Sequence, residues 1–271
     1  MKTKIACLSL TLVALFLIAS CQSKKTEVKK VNSASSESVI SGKVKEDIIK
    51  VVNTLPSNTE TVNLINATGA AYLAGFTGED MKTETLLTRD AKAQAYGTLI
   101  FDLAYTHTYN QVESFSKLLK LYESLTKELG FEELVSTQKQ FQDSYQKNKD
   151  NKDSMNLLVT NMLNKTNELI QKNGTATDIS LVVAGAVVKS LNVISYLTLF
   201  APNKEKLIEV LKKQKTVING TCDILKKTSD DAEVNKLYQA LLPVNELFNS
   251  SEAFTEQTVD KINKLTEFIT K

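Results

Sequence analysis

The sequence predicts an all-α fold: an irregular multi-helix bundle of about four antiparallel helical hairpins behind a flexible N-terminal tether. Three observations predict it. From about residue 43 onward, apolar residues recur at three- and four-residue spacing, the period of a helix with one buried face. Only nine Gly and three Pro occur among 271 residues, so breakers are few. No alternating apolar and polar run is long enough for a convincing strand. The composition, 42% hydrophobic and 24% charged, suits a packed core. Hairpin lengths differ and share no fixed period, which disfavours a regular tetratricopeptide array and leaves a degenerate hairpin stack open.

The first element has a different character. Lys2 and Lys4 precede an apolar run from Ile5 to Ile18, and Ile18-Ala19-Ser20-Cys21 closes it with small residues and a cysteine. This is the layout of a secretory signal, and the run is shorter than the roughly 20 residues a membrane span requires. The closing tetrapeptide resembles the lipobox of bacterial lipoproteins. That resemblance implies that residues 1–20 are a signal peptide and that the Cys21 thiol carries a diacylglyceryl group. It also implies that the amine freed by cleavage is acylated and that the lipid holds the chain to a membrane. In Gram-negative lipoproteins an Asp after the cysteine retains the protein at the inner membrane. Gln22 here implies the outer membrane, and the non-acidic Ser23-Lys24-Lys25 implies its periplasmic side.

Residues 21–43 are the lipidated cysteine and a Ser- and Lys-rich linker with no sustained apolar period, which reads as a flexible tether. Fully extended, it reaches roughly 60–70 Å. Lys24, Lys25, Lys29 and Lys30 either face anionic head groups or are solvated linker charges. Residues 44–271 form a single helical domain. Its predicted helices cover a short segment from Val44 to Leu55-Pro56, then 58–73, 85–109, 111–129 and 131–145. A polar loop follows over 147–153, then helices over 155–170 and 178–201. The segment 178–201 is the most apolar of the domain. Lys189 and Asn192 interrupt it and its polar residues scatter around the helix, so it reads as a central core helix and not a membrane span. A long helix from Leu207 to Leu225 follows, then one capped by Asp230 and kinked or split by Pro243, and a last one from about residue 255.

The helix over 85–109 holds the densest polar pattern. Asp102, Tyr105 and Tyr109 fall on one side of it, with Gln94 and Thr98 nearby. A carboxylate beside two phenols makes either a buried hydrogen-bond network between hairpins or the lining of a polar ligand pocket. Residues 96–111 also resemble a YGxxxxDLxYxxxYNQ pattern of uncharacterised helical lipoproteins of Gram-negative bacteria, a resemblance that implies no activity. His107, the one histidine, is taken with Asp102, Tyr105 and Tyr109 as a candidate ligand or structural member of the polar strip, and it and Arg89 lie about five turns apart on one face of the same helix.

Several function classes are disfavoured. One histidine and three cysteines supply none of the common zinc sets, and no Glu-x-x-His di-iron motif, phosphate-cradling loop or Gly-x-Ser-x-Gly elbow occurs. No metal, cofactor or enzymatic activity is therefore expected. The 33 Lys+Arg and 31 Asp+Glu balance once Lys2 and Lys4 leave with the signal, so no basic field for nucleic acid exists. Cys222 shares an apolar stripe with Ile218 and Leu225 and reads as a small buried hydrophobe. The expected function is a membrane-anchored envelope lipoprotein whose helical domain binds or scaffolds an envelope protein partner. The alternative is a small-molecule-binding lipoprotein with an inter-helix pocket near Asp102, Tyr105 and Tyr109.

Overall fold

The computed structural model describes residues 33–148, 151–250 and 254–270. The expected signal segment, Cys21 and the first part of the expected tether lie outside them. The described residues form eleven α-helices and one turn of 3₁₀ helix, with no strand. The fold is all-α.

Helix α1 spans Ser33–Val52. It starts inside the expected tether, eleven residues before the predicted domain start at residue 44. Residues 33–42 contain no proline, and their single glycine is a tolerable helix residue, so nothing stops the helix extending toward the N-terminus. After Pro56, a capping box starts α2 (Asn58–Ala67): Ser57 Oγ accepts from Glu60 N–H, and Glu60 Oε2 accepts from Ser57 N–H. Helix α2 stops six residues short of expectation because Gly69 turns the chain with φ +80°. An irregular segment with a 3₁₀ turn at Thr83–Thr85 leads to α3 (Arg89–Thr108).

Helices α3 and α4 (Val112–Glu128) end alike. Asn110 (φ 57°) and Gly130 (φ 73°) each take the left-handed position, and the next residue donates back across the last turn: Gln111 N–H to Thr106 O at 2.8 Å, Phe131 N–H to Thr126 O at 3.0 Å. Helix α5 (Glu132–Asn148) and α6 (Lys152–Asn173) shorten the expected 147–153 loop, because Asn151 caps α6 by accepting from Ser154 N–H. A second capping box, Thr175 with Asp178, starts α7 (Ala176–Phe200). The predicted helix through Leu207–Leu225 is two, α8 (Lys204–Lys213) and α9 (Lys215–Lys227). At Gln214 the backbone tightens to a three-residue hydrogen bond on Leu211 O. Asp231, not Asp230, caps α10 (Ala232–Asn249), which runs through Pro243 unsplit. Helix α11 (Glu256–Thr270) closes the chain.

The hairpin neighbours α3–α4, α5–α6, α7–α8 and α9–α10 do pack together, but they are wrapped around α7. Helix α7 contacts α3 and α11 most extensively, and also α1, α8 and α9. It is the one described helix long and apolar enough to cross a membrane, and 89% of its most apolar window is buried within the protein. Such burial leaves it no apolar face for lipid.

Candidate functional site

The polar strip of α3 forms as the spacing predicts, and it clasps a loop. Asp102, Tyr105 and Tyr109 project from α3 onto the backbone of the segment between α2 and the 3₁₀ turn. Asp102 Oδ2 accepts from Gly78 N–H at 2.8 Å, Tyr105 Oη accepts from Leu73 N–H at 3.0 Å, and Tyr109 donates to Ala70 O at 3.0 Å. Tyr72 comes back from that loop to stack on Tyr105, with ring centroids 5.2 Å apart. Asp102 and Tyr105 are fully buried. Burial pushes the Tyr105 hydroxyl up, Tyr109 likewise to about 12, and Asp102 to about 6. The partner of Asp102 comes from α7: Lys189 Nζ stands 3.7 Å from Oδ1 and donates to Phe76 O. Asp102 Oδ1 makes no hydrogen bond of its own.

The other two members of the helix serve elsewhere. Arg89 forms a two-point pair with Asp178 (2.8 and 3.0 Å) and donates to Leu129 O at 2.9 Å, joining the first turns of α3 and α7 to the end of α4. Burial pushes the Asp178 carboxyl up, but Arg89 and the Thr175 N–H outweigh it and hold the carboxyl below its ordinary value. His107 does not join the Asp102 strip. Its Nε2 meets Asn156 Oδ1 on α6 at 2.9 Å, and its ring lies against Phe115. Thr98 faces α7, 3.5 Å from Gly185 O.

Cys222 is buried on α9, and burial pushes its thiol up to about 11. Because the thiolate is the reactive form, a maleimide should label Cys222 slowly in the folded chain and quickly in denaturant. Equal labelling rates in the two states would contradict this packing.

One cavity is made of residues scattered too widely for sequence reasoning to collect. It holds about 430 Å3 between the α1–α2 turn, α6, α7 and the start of α9, over the middle of α3. Its floor is apolar, from Ile100, Val183, Ala186 and Val187, and its walls carry side-chain amides from Asn53 to Gln214. The only local hint is the spacing of Asn164, Asn167 and Gln171, which sets three amides on one side of α6. Gln214 is 2% exposed and its Oε1 has no hydrogen-bond partner.

Among the described residues no group of three or more His, Cys, Asp or Glu is placed to hold a metal ion. No protein-family model, curated protein or solved structure matches this chain.

Proposed function

We propose that this chain is a lipid-anchored protein of the bacterial envelope whose helical domain binds or scaffolds another envelope component and performs no catalysis. The observation that carries the reading is the N-terminal sequence: a basic start, an apolar run from Ile5 to Ile18, and Ala19-Ser20 before Cys21. The outer membrane, periplasmic side, follows from Gln22 and the non-acidic residues after it. The non-enzymatic part draws support from how the candidate acid–base groups are used. Asp102 holds a loop, His107 a neighbouring helix, and Arg89 two helix ends. Each is committed to a structural partner.

Mass spectrometry of the chain purified from membranes tests the anchor. The expected N-terminal residue is Cys21, carrying thioether-linked diacylglycerol and an N-acyl chain. Labelled palmitate should enter the wild-type chain and not Cys21→Ser. A cleaved chain with a free Cys21 thiol, or one retaining residues 1–20, would refute the lipoprotein reading. Crosslinking in intact cells tests the scaffold part: a reproducible envelope protein should be attached, and recovery of the chain alone would count against it.

A further inference from the structure

We propose that the cavity between the α1–α2 turn, α6 and α7 binds a neutral saccharide. This does not depend on the lipid anchor. The volume of about 430 Å3 lies within the usual range for small-ligand sites, about 300–1,000 Å3. Four features of the lining select the class of ligand.

The first is the amide wall. Asn53 comes from the α1–α2 turn and Asn58 from the start of α2, Asn164, Asn167 and Gln171 from one side of α6, and Gln214 from the α8–α9 junction. A carboxamide offers both donors and an acceptor, and so does each hydroxyl of a sugar. The second is charge. The lining contains no Lys, Arg, Asp or His, and its two carboxylates are already engaged, Glu60 in the capping box of α2 and Glu168 with Lys165. An anion finds no counter-charge there. The third is the floor. Val183, Ala186 and Val187 of α7 share one side of that helix and give a narrow apolar strip, suited to the C–H face of a sugar ring.

The fourth is the orphaned acceptor. Gln214, itself buried, lines the cavity; its Nε2 donates to Val210 O at 3.3 Å, and its Oε1 has no hydrogen-bond partner. A buried acceptor left unpaired is a cost that a donor hydroxyl recovers on binding. Two of the lining amides meet in an exposed hydrogen bond, Gln171 Nε2 to Asn53 Oδ1 at 3.2 Å, which a ligand hydroxyl can replace.

A second, separate hollow of about 300 Å3 lies between α2, the end of α3 and α6, where His107 joins Asn63, Asn66, Asn156 and Thr160 in the lining. An extended peptide fits less well, because the walls are helices, with no strand edge to pair with its backbone.

Saturation-transfer NMR on the purified full chain, in a sugar-free zwitterionic detergent, tests the proposal. The saccharide probes are glucose, N-acetylglucosamine, maltotriose and triacetylchitotriose, with trialanine and inorganic phosphate as comparison probes. At least one saccharide should bind with a Kd of about 1 mM or tighter, and the comparison probes should not bind. Gln214→Leu keeps the residue's bulk and removes the orphaned acceptor. It should melt no lower than wild type while losing about tenfold or more in saccharide affinity. Asn167→Ala, on the α6 wall, is the second variant should Gln214→Leu disturb the fold, and it should also weaken binding. The proposal is overturned if no saccharide shows transfer, if trialanine binds instead, or if both variants bind as the wild type does.

Discussion

A single methyl group at Gly97 or Gly185 is expected to cost the fold about 3 kcal/mol or more. These glycines sit where α3 and α7 cross, the most extensive helix pairing among the described residues. A Cβ on Gly97 would stand 1.9 Å from Val182 O and 2.8 Å from Val182 C. One on Gly185 would stand 2.1 Å from Gln94 O and 3.0 Å from Gln94 C. All of these atoms are backbone, so no change of rotamer relieves the overlap, and the helices themselves have to separate. Opposing this is the helix propensity that alanine gains over glycine, about 1 kcal/mol. Steric overlap wins, because parting α3 from α7 unpacks buried neighbours along both helices. For a domain of this size the melting temperature should fall by roughly 6–12 °C.

The other helical glycines grade the effect. A Cβ at Gly220 meets Leu55 Cδ2 at 2.9 Å, the end of a flexible side chain, and Gly220→Ala should cost little. A Cβ at Gly42, exposed on α1, meets nothing within 4 Å, and Gly42→Ala should stabilise by up to about 1 kcal/mol. Thermal melts of the four alanine variants decide the matter. If Gly97→Ala and Gly185→Ala melt within a degree of wild type, the close crossing is wrong. The double variant should cost less than the sum of the singles, since one separation accommodates both methyl groups.

This crossing also marks where sequence reading reaches its limit. The buried, all-round apolar character of α7 is visible in its composition, because a helix whose polar residues scatter has no face left for water. Its partner is not visible. A glycine in a helix reads locally as a weak point, and only the approach of a second backbone turns Gly97 and Gly185 into requirements. The α3 strip divides in the same way. One helix period suffices to place Asp102, Tyr105 and Tyr109 on a side, but what they hold, the backbone from Ala70 to Gly78, is fixed by tertiary packing. His107 leaves that strip for Asn156 on α6 for the same reason. The split at Gln214 and the amide cavity are less legible still. Asn53 lies in a turn, Asn164 inside α6 and Gln214 at a helix junction; each is an ordinary polar residue in its place, and no local pattern connects them.

Breaking the buried pair of Asp102 and Lys189 should give the second large effect, with a pH dependence of defined sign. At pH 7.5, Lys189→Met removes the cation beside a fully buried carboxylate and should cost about 3 kcal/mol, as expected when one member of a buried pair is lost. Near pH 5 the cost should shrink, because Asp102 then takes a proton and needs no counter-ion. The wild-type chain carries the same sign in weaker form. Burial raises the Asp102 pKa from 3.8 to about 6, against the opposing pull of Lys189 and the Gly78 N–H. The folded state therefore binds the proton more tightly than the unfolded chain. The stability this gives is fully present below about pH 4 and is lost as pH rises through about 6, roughly 3 kcal/mol in all. Asp102→Asn, which cannot titrate, should lack that slope, so the stability of wild type relative to Asp102→Asn should decline from pH 4 to pH 7. Denaturant melts across this range measure it, and a flat difference would remove Asp102 as the titrating group. Hydrogen exchange supplies a local check. With Lys189→Met the Gly78 amide, held on Asp102 Oδ2 at 2.8 Å, should exchange faster as the loop loosens, whereas the Phe131 amide at the end of α4 should keep its protection.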